Sequence, residues 1–363
     1  MKKILCLIDT VGLGGGAERQ MIGLVTFLRK RGYTVNLVVY HDDESYPEIK
    51  RRYGVEPIVL KVKNSSLSKL SAVRKHIRQT KGYDAVISYK KGANAISCIL
   101  KMLGMKFKLI VSERNTTQVI TRQTKILFWL YKYADFVVPN SYSQNSFIKE
   151  HFPYLKKKVT TITNFTDIGR FVPASINRQG DFRVLTVGRI TKQKNTHNYI
   201  KAISLLKELG DSHIHFDWFG DPQCEADERY AEEANRLIKE LEVADLFEFH
   251  HSTMNIVEQY QQCDVFCLPS NYEGFPNVIC EAMSCGKPIL CSRVCDNPYI
   301  VKEGENALLF DNTSPKDIAE KILEVSKMDR EALEKWGQKS KDIAETMFSA
   351  TSFVEKYIKL IEA

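Results

Sequence analysis

The sequence predicts an α/β protein built from two consecutive doubly wound units, in which helices cover parallel sheets. Its 363 residues are the length of about two ordinary domains. Short apolar runs alternate with stretches of helical periodicity, which is typical of parallel strands joined by helices. This rhythm starts near residue 3 and starts again near residue 182, so the chain is expected to hold two such units.

The individual elements follow from the same pattern. Helix 17–30 carries an apolar face and is followed by Gly32, a common helix stop. Helix 196–209 opens the second unit in the same way. The predicted strands are 3–8, 35–39, 58–60, 85–88, 109–111 and 136–139 in the first unit, and 182–187, 215–219, 247–250, 265–269 and 288–291 in the second.

These elements predict the domain boundaries. The first domain covers residues 1–165, a Gly- and Pro-containing linker covers 166–180, and the second domain covers 181–345. Residues 346–363 contain an amphipathic helix with Phe353, Tyr357 and Leu360 on one side. That helix either caps the second domain or returns to the first.

Composition narrows the class of protein. Apolar residues make up 44% of the chain and charged residues 26%, as in soluble globular proteins. No segment approaches the ~20 apolar residues of a membrane span. The apolar run after Lys2 and Lys3 stops at Asp9, so it is expected to be a strand and not a signal peptide, and the chain is expected to be cytoplasmic.

Nine cysteines fit that compartment, and six of them lie between residues 263 and 295. With His250 and His251 they could form a metal site. Their spacings match no zinc pattern, and we favour small buried side chains and no bound metal.

Charge is distributed unevenly along the chain. Residues 1–180 contain 31 Lys and Arg against 12 Asp and Glu, a balance of +19, whereas the remainder has 21 against 32, a balance of −11. The basic half could face an anionic surface or partner, or the two halves could attract each other. Both interpretations remain open at this stage.

A Gly-rich loop at residues 10–18 follows the first strand and opens the first helix. Gly14, Gly15 and Gly16 would let an anion approach the backbone at the helix N-terminus. Ala17 replaces the last glycine of G-x-G-x-x-G, which disfavours a dinucleotide oxidoreductase. A purely structural turn is the alternative.

A second cluster, residues 188–195, follows the first strand of the second unit. Arg189 and Lys194 could neutralise a diphosphate there, since Arg binds two oxygens at once and Lys acts as a point charge. A solvated charge cluster is the alternative interpretation.

The most specific pattern is the stretch 270–283. Glu273 is predicted in a loop, Pro276 in the first turn of the next helix, and Glu281 within that helix. The N–H groups of Asn277 and Val278 would point at a ligand. Glu273 could reach a sugar and Glu281 a ribose diol, unless both are capping or solvated carboxylates.

Together, the Gly-rich loop, Gly188-Arg189 with Lys194, and Glu273-x7-Glu281 resemble family 4 of the retaining glycosyltransferases. Residues 163–165 and 282–289 also resemble this family. The resemblance implies the GT-B fold, in which two Rossmann-like domains face each other across a cleft and the last helix crosses back to the first domain. It makes 1–165 the acceptor-side domain and 181–345 the nucleotide-sugar domain.

The resemblance also implies roles for individual residues. Arg189 and Lys194 would bind the donor diphosphate and assist catalysis, Glu273 would act at the donor sugar, and Glu281 would bind the ribose. The loop Gly14–Gly16 would approach the donor phosphate. The remaining donor-binding positions would be the backbone of Gly274, Phe275, Pro276, Asn277 and Val278.

One position departs from the family pattern. Many members have a histidine after a strand of the first domain, whereas this chain has Glu113-Arg114-Asn115, which resembles a variant in some bacterial polysaccharide-assembly enzymes. Arg114 could contact the donor from that side. An ordinary salt bridge to Glu113 or another acid is the alternative.

The expected function is retaining transfer of a hexose or N-acetylhexosamine from a nucleotide diphosphate sugar, with UDP favoured, to a saccharide or lipid-linked saccharide. The setting would be bacterial-type surface polysaccharide or glycan assembly. No cofactor and no nucleic-acid partner is expected. No divalent metal is expected either, because no Asp-x-Asp triplet stands at a strand end and Glu225-Ala226-Asp227, the nearest acidic triplet, lies at the start of a predicted helix. The alternatives are a nucleotide-sugar epimerase of similar fold and a non-catalytic nucleotide-sugar-binding protein.

The basic N-terminal half suggests a further partner. It could dock on an anionic membrane at its inner face, as a peripheral protein, with Lys156, Lys157 and Lys158 among the contacts. A soluble polysaccharide acceptor, with the lysines merely solvated or paired, is the alternative.

Overall fold

The computed structural model describes residues 1–12, 15–63, 65–117, 119–174 and 180–363. The chain forms two compact units, one of Met1–Phe165 with Ala350–Ala363 and one of Thr166–Ser349. Within the described residues, each unit contains a six-stranded parallel sheet with helices packed on it. This confirms the predicted fold of two Rossmann-like α/β units.

The elements are numbered along the chain. The strands are β1 Lys3–Ile8, β2 Thr34–Val39, β3 Ile58–Val59, β4 Ala85–Tyr89, β5 Lys108–Glu113, β6 Phe136–Pro139, β7 Phe182–Val187, β8 Ile214–Phe219, β9 Phe247–His250, β10 Val265–Leu268, β11 Ile289–Ser292 and β12 Ala307–Phe310. The helices are α1 Gly16–Lys30, α2 Tyr46–Tyr53, α3 Ser66–Gln79, α4 Lys91–Met102, α5 Arg122–Leu130, α6 Tyr142–His151, α7 Thr196–Glu208, α8 Glu225–Glu240, α9 Ile256–Gln262, α10 Asn277–Ser284, α11 Asn297–Ile300, α12 Pro315–Ser326, α13 Arg330–Met347 and α14 Ala350–Glu362.

The first sheet has the strand order β3-β2-β1-β4-β5-β6. The chain moves outward from β1 to β3 and returns to the other side of β1 with β4, so the order reverses between β1 and β4. Alternate residues of β1 pack on opposite faces: Ile4 and Ile8 contact the cluster that contains α1, and Leu5 and Leu7 contact the cluster that contains α4. Both faces are therefore buried, as continuous apolar strands require.

The last helix, α14, belongs to the first unit. Its buried face of Phe353, Tyr357 and Ile361 joins the core beside α1. Phe165 packs in the same place, and a Cβ at Gly23 of α1 would lie 2.2 Å from the Phe165 Cζ. A glycine is therefore required at position 23 for this approach.

The second sheet has the order β12-β11-β10-β7-β8-β9. Its predicted strands are observed with shifts of one residue at some ends. Strand β12, Ala307–Phe310, is not among the predicted strands. It becomes a strand because β11 offers it a parallel partner, with Cys291 opposite Leu309.

The clustered cysteines of the second unit lie in its core. The clustered cysteines at 263, 267, 280, 285 and 291 are buried in the apolar clusters of the second unit, and burial raises the pKa of the Cys285 thiol to about 12. They therefore pack as small apolar side chains.

Among the helices in the described part of the chain, none is both long and apolar enough to cross a bilayer.

Candidate active site

The candidate site lies at the carboxyl edge of the second sheet, where β7 and β10 are neighbours. The chain leaves β7 toward β8 and leaves β10 toward β11 on the opposite side. Doubly wound sheets bind ligands at such reversals, because the diverging loops leave a crevice above the strand ends. The two predicted clusters, 188–195 and 270–281, follow these two strands.

The structure brings Lys194 and Glu273 into direct contact. The Lys194 Nζ lies 2.6 Å from the Glu273 Oε1, and the Ser270 hydroxyl donates to the same oxygen at 2.5 Å. Both charged side chains are largely buried, with 13% and 7% of their surface exposed. The two residues, 79 positions apart in sequence, thus form a buried ion pair.

A short loop after β7 fixes the position of Lys194. Residues Lys192–Lys194 form one turn of 3-10 helix, in which the Thr191 hydroxyl accepts the Lys194 N–H. Asn195 ends this turn with a left-handed backbone, φ 61°, a conformation that asparagine tolerates well. Its Nδ2 donates to the carbonyl oxygens of Pro269 and Asn312, which ties the β7 loop to the β10 loop.

Arg189 lies two residues after the end of β7, in the same loop as Lys194, and remains largely exposed. Its side chain is 47% exposed and makes only loose contacts, 3.5 Å to the Gln223 Oε1 and 4.0 Å to the Asp227 Oδ2. The backbone beneath it is tightly packed, since a Cβ at Gly220, with φ 154°, would lie 2.1 Å from the Gly188 carbonyl oxygen. Arg189 thus extends into solvent from a tightly packed turn.

The start of α10 completes the edge. Pro276 precedes the helix as its N-cap, whereas the sequence analysis expected it in the first turn. The first intrahelical bonds are donated by Ile279 and Cys280 to the Pro276 carbonyl oxygen. The N–H groups of Asn277 and Val278 therefore lie at the electropositive end of α10.

The other predicted positions in this loop have distinct environments. Gly274 is half-buried, while the Phe275 side chain is buried and packs edge-on against Phe348 at 5.7 Å between ring centroids. Phe275 thus anchors the loop in the core. A donor contact from Phe275 would come from its backbone.

Glu281 lies in α10, buried to 7% exposure. The Tyr260 hydroxyl donates to its Oε2 at 3.1 Å. Neither Glu273 nor Glu281 is therefore a solvated carboxylate. The backbone of Glu273 also has a partner, since its N–H donates to the Cys295 sulfur at 3.4 Å. Burial raises the pKa of the Cys295 thiol.

The predicted residues of the first unit have different surroundings. Gly14 lies outside the described residues. Gly15 is the N-cap of α1 and Gly16 is its first residue. The Glu18 carboxylate folds back onto this turn, since a Cβ at Gly15 would lie 2.0 Å from its Oε2, and it forms an ion pair with Lys90.

Arg114 is buried at 7% exposure and has no acidic partner among the described residues. Its Nη1 donates to the Asn164 Oδ1 at 2.8 Å and its Nη2 to the Tyr357 hydroxyl at 3.0 Å. Its guanidinium lies over the Tyr89 ring at 3.9 Å. Arg114 therefore connects the end of β5 to α14, and a donor contact from it stays a prediction.

The alternative for Arg114, a salt bridge to Glu113, is not formed. The Glu113 carboxylate instead accepts hydrogen bonds from the Tyr131 hydroxyl and, at 3.4 Å, from the Asn94 Nδ2. Burial raises its pKa. The two sequence neighbours are therefore both buried but contact different residues, Glu113 at the end of β5 and Arg114 just after it.

Three further residues of this site have roles that the sequence did not indicate. Ser270 orients Glu273, Asn195 joins the two loops, and Tyr260 holds Glu281. Ser270 could have been found, since it stands three residues before Glu273 at a strand end. Tyr260 lies in α9 and carries no local signal of its contact.

One group of potential metal ligands occurs in the described part of the chain, formed by Asp217, Glu248 and His250. The His250 Nε2 lies 2.8 Å from the Asp217 Oδ1, and the Arg183 Nε donates to the Asp217 Oδ2 at 2.9 Å. Arg183 and Asp217 form an ion pair between β7 and β8, and the His250 hydrogen bond joins β9 to it.

Two family models of known proteins match successive parts of this chain. The family model "Glycosyltransferase Family 4" matches residues 14–170, and "Glycosyl transferases group 1" matches residues 170–343. Together they span residues 14–343, which include most of both units and the two loops of the site. The chain is a GT-B glycosyltransferase of the family 4 type.

Relatives of this glycosyltransferase include two from Campylobacter jejuni. One, a GalNAc-alpha-(1->4)-GalNAc-alpha-(1->3)-diNAcBac-PP-undecaprenol alpha-1,4-N-acetyl-D-galactosaminyltransferase, is 25% identical over 99% of this chain and 98% of its own. The other, an N-acetylgalactosamine-N,N'-diacetylbacillosaminyl-diphospho-undecaprenol 4-alpha-N-acetylgalactosaminyltransferase, is 26% identical over 80% and 81%. Among solved structures, Anabaena HepE in complex with UDP-glucose has a TM-score of 0.84 at 19% identity, covering 100% of both chains. That likeness establishes the shared fold.

Proposed function

We propose that this glycosyltransferase moves a hexose or N-acetylhexosamine from a UDP-sugar to a lipid-linked saccharide, with retention of the anomeric configuration. The product would be an intermediate in the assembly of a bacterial-type surface glycan. The proposed place of action is the cytoplasmic face of a membrane.

The observation that carries this proposal is the buried Lys194–Glu273 ion pair, with Arg189 and the start of α10 at the same edge of the sheet. Departure of a nucleoside diphosphate leaves negative charge on the leaving group and positive charge at the anomeric carbon. Arg189, Lys194 and the N–H groups of α10 would stabilise the first charge. Glu273 would stabilise the second and hold a sugar hydroxyl.

The donor and acceptor classes draw support from the relatives. Both Campylobacter proteins act, by their names, on saccharides linked to undecaprenol through a diphosphate. The Anabaena structure holds UDP-glucose. A glycan carried on a lipid diphosphate and a UDP-linked donor are therefore the pair to test first.

The test begins with a donor screen on the purified chain. A bound donor raises the melting temperature by mass action, and we expect UDP-hexoses and UDP-N-acetylhexosamines to do so more than GDP- or ADP-sugars. The best donor is then offered with polyprenyl diphosphate-linked saccharides, and the anomeric configuration of the product is determined by NMR. A β-linked product from an α-linked donor would contradict retention.

The same experiment separates the alternatives. An epimerase would change the donor sugar without any acceptor, and a binding protein would be stabilised by the donor without turnover. Either outcome would overturn the proposed transfer. Transfer that requires the acceptor supports it.

Glu281→Ala is expected to weaken donor binding by about tenfold or more, because a lost hydrogen bond to a charged group costs about 1.5–3 kcal/mol. The change should raise KM for the donor more than it lowers kcat, since the ribose does not react. Steady-state kinetics measure both constants.

Glu320→Ala is the matched control for Glu281→Ala. It removes an exposed carboxylate of α12 in the same unit, whose side chain is 59% exposed. Donor binding should equal that of the parent. If Glu281→Ala also left KM unchanged, the ribose assignment would be wrong.

Transfer is expected to continue after removal of divalent metals by a chelator. Protein cations and helix N–H groups would carry the charge of the diphosphate, and the nearest acidic triplet is already engaged. Glu225 and Asp227 lie in the first turn of α8, where Glu225 pairs with Arg229 at 2.8 Å. Loss of activity with chelator, restored by manganese or magnesium, would contradict this expectation.

A further inference from the structure

Helix α5 presents an unusual outward surface. We call it the α5 outer face, and it continues into the 3-10 turn Tyr131–Tyr133. Its members are spaced three or four residues apart and so share one side of the helix. They are Arg122, Lys125, Ile126, Trp129, Lys132 and Tyr133.

The apolar members of this face are not part of the core. Ile126 is 62% exposed and Trp129 is 46% exposed. The inner side of the same helix already supplies its packing, with Leu127, Phe128 and Leu130 buried against the sheet. Folding of the first unit therefore leaves a large aromatic and a large aliphatic side chain in contact with solvent.

Cations surround these apolar groups. The Lys132 Nζ lies 3.8 Å from the Trp129 ring centroid, and Tyr133 meets the same ring edge-on at 5.9 Å. Trp and Tyr with Lys or Arg beside them are typical of side chains at the level of lipid headgroups. The combination differs from a protein–protein hot spot, where lysine is depleted.

The local charge is one-sided. No Asp or Glu occurs between Glu113 and Asp135, whereas that stretch contains four Lys and Arg. Asp135 is itself paired with Lys101. Helices α3 and α5 both pack beside α4 in one core cluster, so the basic helix α3 covers the same side of the sheet.

We propose that the α5 outer face rests on an anionic lipid surface, with Trp129 and Ile126 entering the headgroup region and Arg122, Lys125 and Lys132 contacting lipid phosphates. This inference rests on the proposed function in that a lipid-linked acceptor would be held in the same membrane. It goes further because it assigns membrane contact to a defined helix face instead of to the total charge.

Lys158 has a structural role that distinguishes it from Lys156 and Lys157. The Lys158 Nζ donates to the carbonyl oxygens of Lys132 and Ala134, at 2.6 and 2.7 Å. It caps the end of the α5 segment, and burial lowers its pKa. A change at Lys158 would disturb α5 itself, whereas Lys156 and Lys157 are exposed and can be changed alone.

Vesicle sedimentation tests the proposal with the full chain. Vesicles of phosphatidylglycerol and phosphatidylcholine are compared with pure phosphatidylcholine. Ile126→Ser with Trp129→Ser, and separately Arg122→Glu with Lys125→Glu, should each lower partitioning onto the anionic vesicles about tenfold or more. Matched controls from the second unit, Leu209→Ser (68% exposed) and Lys316→Glu (81% exposed side chain), should partition as the parent does.

A spectroscopic arm locates the contact. Lipids brominated near the headgroup should quench the tryptophan fluorescence of the parent, and this quenching should disappear in Trp129→Phe. The other two tryptophans are unsuited to reach lipid, since Trp218 is fully buried and Trp336 packs against the core of the second unit.

The outcomes are distinct. Parental partitioning by both double variants, or quenching that survives Trp129→Phe, would overturn the proposal. So would a vesicle-independent dimer that is lost in the Ile126→Ser, Trp129→Ser variant, since it would assign the face to a second copy. Partitioning is measured without donor or acceptor, so failure of the proposed transfer would leave this result readable, and donor-induced stabilisation should be the same in all the α5 variants.

Discussion

Replacing Glu273 by Gln is expected to lower the transfer rate at least about 100-fold, the scale seen when a preorganised charge-stabilising group is removed. Gln keeps the shape of the side chain and can still bond Ser270. It removes the negative charge that would stand beside the anomeric carbon. The loss should appear in kcat under saturating donor and acceptor.

The buried partner requires a second variant. Glu273→Gln leaves the Lys194 ammonium without its carboxylate at 13% exposure, and breaking a buried pair costs stability. Glu273→Gln combined with Lys194→Met removes both charges, so its melting temperature should recover while transfer stays low. Recovery of activity with stability would show that neither Glu273 nor Lys194 is needed for transfer.

Glu320→Gln is the matched control for the charge. It is an exposed glutamate of α12 in the same unit, with a 59% exposed side chain. It should transfer at the parental rate. Parental transfer by Glu273→Gln as well would make the assignment of Glu273 wrong.

Arg189→Ala is expected to lower kcat/KM by a similar factor, at least about 100-fold. Arg189 is 47% exposed and its contacts with Gln223 and Asp227 are long, so the fold does not depend on it. Its loss would remove a two-pronged donor for the leaving diphosphate. The protein should melt as the parent does and yet transfer slowly.

Two comparisons sharpen the Arg189 result. Arg189→Lys should fall between the parent and Arg189→Ala, because a lysine supplies the charge without the paired donors. Arg229→Ala, an exposed arginine of α8 at 64%, should leave transfer unchanged. If Arg189→Ala and Arg229→Ala behaved alike, the diphosphate would be bound elsewhere.

The local pattern of the chain determined most of the architecture. Buried parallel strands need continuous apolar runs, and helices need an apolar stripe, so eleven of the twelve strands described could be predicted from the sequence. The missed strand β12 shows the limit. Its four residues become a strand through pairing with β11, and a pairing partner is not a local property.

The two loops that form the candidate site could also be located from the sequence. The loops after β7 and β10 carry Arg189, Lys194 and Glu273, and strand ends are where doubly wound sheets place ligands. Sequence spacing could not predict that Lys194 contacts Glu273, because that contact depends on β7 and β10 being neighbours in the sheet. The roles of these residues stay predictions for the kinetic tests above.

Tertiary structure alone decided the environments of the basic residues. In sequence, nothing indicates which of Arg114, Lys158 and Lys132 is buried and which is exposed. In the fold, Arg114 is buried between Tyr89 and Tyr357, Lys158 caps the α5 segment, and Lys132 lies exposed over Trp129. Composition fixes how many charges a chain carries, but the packing of distant segments determines which of them water or a ligand can reach.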